Sequence, residues 1–323
     1  MRAVVARAHG GPQELVAREL DDPTPGPGQV RLRTYRTSVN FSDIKARRGG
    51  YRGIAAPFVP GLDAAGTVEV VGPGVSGFAV GQRVAAYTDG GSYAERVLAD
   101  ATVCYPLPDD VDLVEGAGIG VFITAYNVLT LAGRLEPGES VLVHAGAGGV
   151  GSSAIQIARA LGAGRVVATV GSEAKRSVAL ELGADDVIDY RRDDFAVAVE
   201  TLTAGVGVDL ILDSVAGPTA EAGMRCLAPF GRLVVFGHSG DGAGRFDTQQ
   251  LHTQNRAVLG YSSRGYRQHR PEVLRRSAEA ALELIRQGRL RLLVGAEFPL
   301  AEAAAAHELV ESRRSVGKVL LVP

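Results

Sequence analysis

Three glycines stand at a spacing that suits the binding of a phosphate group. Gly146, Gly148 and Gly151 fit the pattern GxGxxG within HAGAGGVG, which follows the apolar run of residues 140–143 and precedes a segment with apolar residues at helical spacing. In this order of strand, glycine turn and helix, the backbone can approach a pyrophosphate at the helix N-terminus. Because the chain contains 42 glycines, the flanking elements rather than the motif make the prediction specific. We expect contacts from Gly146, Gly148, Gly149, Val150 and Gly151.

The end of the next predicted strand indicates which dinucleotide is bound. An acidic residue about 20 positions after the glycines commonly binds the adenosine ribose. Here RVVATVGS ends in residues 170–172 without a carboxylate, and Lys175 and Arg176 follow one helical turn later. These cations can neutralise a 2′-phosphate. Glu173 adds a negative charge nearby, although its place at the helix start also suits the helix dipole. The sequence favours NADP(H) over NAD(H).

Two patterns of secondary structure surround this motif. Up to about residue 117 the chain shows short β-branched runs cut by Gly and Pro, which predicts a strand-rich domain. After residue 121 strands and helices alternate, and five or six strands with crossovers predict a parallel, doubly wound sheet. The fold class is therefore α/β.

The tail of the chain returns to a different pattern. It contains a predicted helix over residues 271–287, a strand over LRLLVG at residues 290–295, a helix through AEAAAAHELVES and a last strand ending near Val322. We expect this tail to rejoin the first domain. The predicted boundaries are 1–120 for the strand-rich domain, 121–258 for the nucleotide-binding domain and 259–323 for the returning segment.

The overall composition excludes several classes of protein. The 323 residues are 46% hydrophobic and carry a formal net charge of -2, so nothing favours a nucleic acid or an anionic membrane as a partner. Cys104 and Cys226 lie far apart without a CxxC pair, which argues against a disulfide framework. The sequence shows no signal peptide and no membrane-spanning run. We expect a cytoplasmic protein that acts on a small molecule.

Eight stretches in fixed order carry a resemblance that spans the whole chain. They are NFSDIKARRG (40–49), GLDAAGTVEVVGPGV (61–75), FITAY (122–126), VLVHAGAGGVG (141–151), ELGADDVIDY (181–190), DSVAG (213–217), FGHSG (236–240) and SVGKVLLV (315–322). As a set they resemble the medium-chain dehydrogenase/reductase superfamily, specifically its zinc-free quinone oxidoreductase and enone (alkenal) reductase branches. The resemblance implies a GroES-like β-barrel catalytic domain built from both chain ends, a central Rossmann domain and an active site between them.

The resemblance also bears on metal chemistry. Where zinc-using relatives carry a Cys and a His-Glu pair, this chain carries Asn40 and the pair Leu62 and Asp63, and the lobe of four closely spaced Cys is missing. We therefore expect no metal. Without a Lewis acid to polarise an alcohol, the implied chemistry is hydride delivery from NADPH to an electron-poor carbon of an enone or quinone.

Three residues are candidates for catalysis, and the resemblance implies two of them. Asn40, Asp43, Lys45 and Arg47 form NxxDxKxRxG, which is similar to the enone reductase branch, whereas quinone reductases often carry Tyr where Lys45 stands. Asn40 would orient cofactor or substrate, and Lys45 would contact the nicotinamide ribose or stabilise a developing enolate. Tyr51 is a candidate from its own position after a Gly-Gly turn: it would line the substrate mouth, protonate the enolate carbon or serve as a packing residue. Asp43 serves equally well as a loop-capping residue.

Further residues are implied to bind the cofactor, Asn40 among them. Thr124 would lie beside the nicotinamide, while Ser172 and Tyr190 would flank the 2′-phosphate together with Lys175. Lys318, in SVGK, is expected either on a loop returning to the active site or as the residue that begins the last strand. The others end strands at the carboxyl edge of the sheet, where doubly wound folds bind ligands: Ser214, Phe236, Gly237 and His238.

Two other functions remain open at this stage. The stretches GPGVSGFAVGQRV and FITAYNVLTLAGRLEPGESVLVHAGAGGVG also resemble enoyl reductase domains of polyketide synthases, which implies a stand-alone enoyl-thioester reductase or tailoring enzyme. Some relatives hold NADPH as structural or RNA-binding proteins without turnover, but no basic stripe or aromatic platform appears here. By analogy with relatives, we expect a homodimer formed through an edge strand near GRLVVFG.

Overall fold

The computed structural model divides the chain into two compact units. It describes residues 1–49, 51, 53–240 and 242–323. The first unit combines Met1–Ile123 with Arg264–Pro323, and the second consists of Thr124–Ser263.

Strands dominate the first unit, and strands alternate with helices in the second. The strands, in chain order, are β1 (Arg2–Ala6), β2 (Leu15–Glu19), β3 (Gln29–Val39), β4 (Asp63–Val71), β5 (Arg83–Tyr87), β6 (Arg96–Asp100), β7 (Cys104–Pro106), β8 (Ser140–Val143), β9 (Arg165–Val170), β10 (Asp186–Asp189), β11 (Val208–Asp213), β12 (Leu227–Val235), β13 (Ala257–Gly260), β14 (Val294–Pro299) and β15 (Lys318–Val322). The helices are α1 (Phe41–Arg48), α2 (Leu113–Gly116), α3 (Ile119–Asn127), α4 (Gly149–Ala160), α5 (Glu173–Glu181), α6 (Phe195–Leu202), α7 (Pro218–Cys226), α8 (Thr248–Gln254), α9 (Ser263–His269), α10 (Pro271–Arg286) and α11 (Ala303–Glu311).

The first unit is built on a mainly antiparallel sheet. Its strands lie in the order β14-β15-β3-β4-β5-β7, with β6 also paired to β3. Alternation along β3 points Val30 and Leu32 into the core, while Arg31 and Arg33 face out and bind Glu69. The last strand, β15, pairs with β3 close to its end. This pairing brings the C-terminal segment beside the start of α1.

The returning tail differs from its prediction in two places. The strand predicted from residue 290 begins only at Val294, because Leu290 and Leu292 are loop residues whose side chains are buried. Lys318, predicted on a loop, is the first residue of β15, and its backbone N–H donates to the Leu293 carbonyl at 2.7 Å. Gly317 makes this turn with φ +57, and an added Cβ would lie 2.0 Å from the Leu293 oxygen. The loop position predicted for Lys318 was therefore wrong, and the alternative, that Lys318 begins the last strand, is confirmed.

The second unit confirms the predicted doubly wound sheet. Its six strands are parallel and lie in the order β10-β9-β8-β11-β12-β13 within the described residues. The strand order reverses between β8 and β11, which is the switch point where such sheets bind ligands. Apolar side chains from β8, β9, β11 and α6 form its core. The α/β fold class is therefore confirmed.

The edge of this sheet is not the strand that was predicted. GRLVVFG belongs largely to β12, which pairs with β11 on one side and with β13 on the other. Arg256, just before β13, donates to the carbonyls of Met224, Leu227 and Ala228 and so ties the following chain to the sheet. The predicted edge at β12 was wrong, and β13 forms that edge.

A separate observation concerns membranes. Across the described ranges, no helix combines the length and the apolar character that crossing a bilayer requires.

Candidate functional site

The glycine turn after β8 has the geometry expected of a phosphate-binding segment. Gly148 caps α4 with extended backbone, and Gly146 donates from its N–H to the Thr169 carbonyl at 2.9 Å. A Cβ on Gly151 would lie 2.2 Å from the Ala145 oxygen, and one on Gly146 would lie 2.7 Å from the Ala168 Cβ. These glycines therefore let α4 start close against β8 and β9. Helix α4 has 12 residues and begins at this turn. Its first N–H groups, on Gly149, Val150 and Gly151, lie at the positive end of the helix dipole, where an anion binds.

The end of β9 presents a tyrosine over a glycine. A Cβ on Gly171 would lie 2.6 Å from the Tyr190 hydroxyl oxygen, so this ring occupies the space that another residue type would fill. Tyr190 is 43% exposed. Ser172 caps α5, and its hydroxyl accepts a 3.4 Å hydrogen bond from the Lys175 N–H. The predicted Ser172, Lys175 and Tyr190 thus gather at one strand end that lacks a carboxylate.

The charges of two cations interact at this strand end. Burial lowers the pKa of Lys175, and the positive charge of Arg191 lowers it further. Arg191 follows β10 and was missed by the sequence analysis. Arg176, which that analysis paired with Lys175, instead donates to the Val187 carbonyl and approaches Glu173 at 4.0 Å. An anion between Lys175 and Arg191 would relieve their mutual repulsion.

The loops after β11 and β12 are joined by backbone hydrogen bonds. Ser239 N donates to the Ser214 carbonyl at 3.0 Å, and a Cβ on Gly237 would lie 2.8 Å from that same oxygen. The predicted Ser214, Phe236 and Gly237 therefore lie together at the carboxyl edge of the sheet. His238 is exposed, and its Nδ1 lies 2.7 Å from the Gly237 carbonyl oxygen.

Thr124 is the first residue of the second unit. It is half-buried within α3. Next along the same helix, the Asn127 side chain donates to the Tyr261 hydroxyl at 3.1 Å.

In the first unit, Asn40 is held by charged partners on three sides. Its Oδ1 accepts from Lys318 Nζ at 2.8 Å, its Nδ2 donates to Asp63 Oδ1 at 3.1 Å, and its N–H donates to Asp43 Oδ2 at 2.8 Å. Asp63 Oδ1 also accepts from Ser38 Oγ at 2.6 Å. These bonds fix the orientation of the Asn40 carboxamide.

Lys318 and Asp63 are deeply buried partners in this group. Lys318 is 3% exposed and Asp63 is 0% exposed. Burial raises the pKa of Asp63 and lowers that of Lys318, and in each case the opposite charge of the other residue opposes the shift. Lys318 Nζ also donates to the Val39 carbonyl at 2.9 Å. Its position makes Lys318 a support for Asn40, and a cofactor contact by Lys318 stays a prediction.

The predicted catalytic residues Lys45 and Tyr51 come together. Lys45 Nζ lies 5.7 Å from the centre of the Tyr51 ring and 5.8 Å from that of Phe41, within the range of a cation–π interaction. Burial lowers the pKa of Lys45. A half-buried ammonium beside two aromatic rings is suited to an electron-rich oxygen.

In the part of the chain that the structure describes, no three His, Cys, Asp or Glu side chains are grouped so as to hold a metal ion. The expected absence of zinc stays a prediction.

Comparison with known proteins defines the class of protein. Residues 26–109 match the model of the alcohol dehydrogenase GroES-like domain, and residues 149–279 match that of the zinc-binding dehydrogenase family. A quinone oxidoreductase from Escherichia coli, solved in complex with NADPH, superposes with a TM-score of 0.94 at 32% identity and full coverage of both chains.

Individual relatives then narrow the class. A 2-haloacrylate reductase from a Burkholderia species is 35% identical over 99% of this chain and 98% of its own. A quinone oxidoreductase from Pseudomonas aeruginosa is 36% identical over 98% of both. The chain belongs to the medium-chain dehydrogenase/reductase superfamily, in its quinone oxidoreductase branch. The predicted family is confirmed.

Proposed function

We propose that this protein is an NADPH-dependent reductase of a quinone or of an activated carbon–carbon double bond. The observation that carries the proposal is the end of β9, where Tyr190 covers Gly171, Ser172 caps the helix that holds Lys175, and residues 170–172 include no carboxylate. This strand end lies beside the glycine turn, because Gly146 N donates to Thr169 O. It fits a dinucleotide that carries a 2′-phosphate. The NADPH complex of the Escherichia coli relative supports the same cofactor.

The residues of the second unit hold the cofactor in this proposal. The N–H groups at the start of α4 bind the pyrophosphate, and the cations at the end of β9 bind the 2′-phosphate. The loops after β11 and β12 support the other half of the dinucleotide, through Ser214, Phe236 and Gly237. When bound, NADPH supplies a hydride from its nicotinamide ring.

The first unit supplies the groups that stabilise negative charge on the substrate. The Asn40 carboxamide is held in one orientation by Lys318 and Asp63, and its Nδ2 also donates to the Ser38 carbonyl at 3.4 Å, a longer bond that an acceptor oxygen would replace. Lys45 presents a half-buried ammonium. We assign both to the oxygen of the acceptor, and Tyr51 to the mouth of the substrate site.

Two relatives frame the acceptor class. One is named as a reductase of a 2-haloacrylate and another as a quinone oxidoreductase, so both acceptor classes enter the first test. NADPH consumption is followed with panels of quinones, alkenals, cyclic enones and enoyl thioesters. We expect turnover with a quinone or an enone. Turnover with enoyl thioesters alone would assign a different reductase, and tight NADPH binding without any turnover would contradict the proposal.

We also propose that catalysis needs no zinc. Zinc-using relatives carry metal ligands at the positions of Asn40, Leu62 and Asp63 in this chain. Asn40 and Leu62 replace two of them, and Asp63 Oδ1 already accepts hydrogen bonds from Ser38 and Asn40. Prolonged dialysis against a chelator should leave activity unchanged. Stoichiometric zinc in the purified protein, with activity lost on its removal, would contradict this.

The remaining proposals concern assembly and surroundings. We propose a homodimer formed along β13, whose outer backbone groups lie at the edge of the parallel sheet. Light scattering should report twice the mass of one chain, and a monomer at micromolar concentration would contradict it.

A net charge of -2 supports a small-molecule partner rather than a nucleic acid. Buried, unbridged Cys104 and Cys226 suit a reducing, cytoplasmic setting.

A further inference from the structure

Three polar side chains form a row across the centre of the parallel sheet. Val143 pairs with Ala168 on one side and with Leu212 on the other. The next residue on each strand is therefore Thr169, His144 and Asp213, and the three lie side by side at the carboxyl ends of β9, β8 and β11. They are 2%, 3% and 0% exposed. The sequence analysis assigned no role to any of them.

Asp213 fixes the backbone of the loop that follows β11. Its Oδ1 accepts from Val215 N at 2.6 Å and from Ala216 N at 3.0 Å. Ala216 has φ +65, a conformation that a residue with a side chain adopts only when its surroundings hold it there. The carboxylate therefore holds a strained turn in place.

This turn also positions the loop after β12. The Ser214 carbonyl accepts from Ser239 N at 3.0 Å, and the Val215 carbonyl accepts from Gly240 N at 2.9 Å. Both loops lie on the β11–β13 side of the switch point, the half of a doubly wound sheet opposite the adenosine side at β9. Asp213 thus holds in place the two loops to which the nicotinamide half of the cofactor is assigned.

His144 lies between the other two residues of this row. Its Nδ1 lies 3.0 Å from Thr169 Oγ1, while its Nε2 and Asp213 Oδ2 are both buried and have no hydrogen-bond partner among the described residues. The negative charge of Asp213 acts on the His144 ring, because it opposes the lowering of the His144 pKa that burial causes. The Nε2–H tautomer, in which Thr169 donates to Nδ1, directs a positive dipole toward this charge. The Phe195 ring packs edge-to-face against the His144 ring, with 4.9 Å between the two ring centroids.

We propose that Asp213 is a positioning residue for the nicotinamide half of the cofactor, and that His144 is the Nε2–H tautomer, whose dipole stabilises the charge of this carboxylate. This inference rests on the proposed function, because it assumes that NADPH is the ligand. Neither residue contacts the reacting atoms in this account. Both act through the two loops.

The test compares binding of the whole cofactor with binding of its adenosine half. Asp213→Ala should raise the Kd for NADPH about tenfold, as expected for the loss of a charge-assisted hydrogen-bond pair. The Kd for 2′,5′-ADP, which lacks the nicotinamide, should change by less than about twofold. This is well below the tenfold change, equivalent to 1.4 kcal/mol, that is expected for NADPH. Asp209→Asn is the matched control, since Asp209 lies on the same strand and binds Ser140 instead. It should leave both affinities unchanged.

A second measurement uses the unaltered protein, so it does not depend on how the variants fold. Imidazole ¹⁵N NMR should show His144 as the Nε2–H tautomer, and the Nδ1–H tautomer would overturn the inference. An Asp213→Ala variant that binds NADPH as the parent does, or loses both ligands equally, would also overturn it. If the unaltered chain bound neither NADPH nor 2′,5′-ADP, the proposed function itself would fail.

Discussion

The ammonium group of Lys318 donates a 2.8 Å hydrogen bond to Oδ1 of Asn40, which lies 278 residues away in the chain. On its other side, the Asn40 amide donates to Asp63. Both charged residues are buried, and each opposes the pKa shift that burial imposes on the other. The proposed catalytic amide is therefore oriented by a pair of buried charges from β15 and β4.

Replacing Lys318 should destabilise the fold. Lys318→Met leaves Asp63 buried without its positive neighbour, and breaking a buried charge pair in this way costs about 3 kcal/mol or more of unfolding free energy. Urea unfolding measures the loss. Lys45→Met, at a half-buried lysine, is the control and should cost less than about 1 kcal/mol. A Lys318→Met protein as stable as the parent would show that the pair does not support the fold.

His307 predicts how stability depends on pH. Burial, aided by the charge of Arg47, lowers the pKa of His307 to about 3, and its Nε2 lies 2.9 Å from the Tyr93 hydroxyl. Unfolded His titrates near 6.5, so between about pH 6.5 and 3 the unfolded chain binds a proton that the folded chain excludes. The folded-state pKa is depressed, so stability rises with pH across this window and falls on acidification, by about 1.4 kcal/mol per pH unit.

The pH dependence is best measured between about pH 6.5 and 5, above the range where most carboxylates titrate. Unfolding free energies of the parent and of His307→Gln should converge as the pH falls, because Gln binds no proton. Parallel curves for the two proteins would contradict the assignment.

The cations at the end of β9 should determine cofactor preference. Lys175→Ala and Arg191→Ala should each raise the Kd for NADPH about tenfold, as expected for one lost charge-assisted contact to phosphate, and leave the Kd for NADH nearly unchanged. Arg176→Ala is the matched control, because Arg176 binds the Val187 carbonyl instead. Calorimetric titration measures all three. Arg176→Ala acting like the other two would place the phosphate elsewhere.

Asn40 and Lys45 should affect turnover itself. If each stabilises charge only in the transition state, Asn40→Ala and Lys45→Ala should lower kcat and kcat/KM together by about 100-fold. Steady-state kinetics with the best quinone or enone measures both constants. An increase in the KM for NADPH alone would make them cofactor-binding residues instead.

Much of the nucleotide site could be predicted because its chemistry is local in sequence. The turn around Gly148 needs only a preceding strand, a following helix and glycines at fixed spacing. The lack of a carboxylate at the end of β9 is equally visible. Arg191 could not be found in this way, because its approach to Lys175 depends on the pairing of β10 with β9.

Contacts between distant segments were the ones that sequence patterns missed. In the sequence, Lys318 is an ordinary residue at the start of a strand, and nothing beside it indicates a contact with Asn40. The pairing of β15 with β3 brings the two residues together. β13 has just four residues, too few to show a period, so β12 was taken for the edge. Leu290 and Leu292 alternate like strand residues although they pack from a loop.

The most direct test of the central claim is a comparison of NADPH with NADH in turnover by the unaltered protein. With the best acceptor of the quinone and enone panels, kcat/KM is measured for each cofactor under identical conditions. We expect turnover with a kcat/KM for NADPH at least about tenfold higher than that for NADH, the ratio that 1.4 kcal/mol of phosphate binding provides. Equal values for the two cofactors, or no consumption of NADPH with any acceptor, would contradict it.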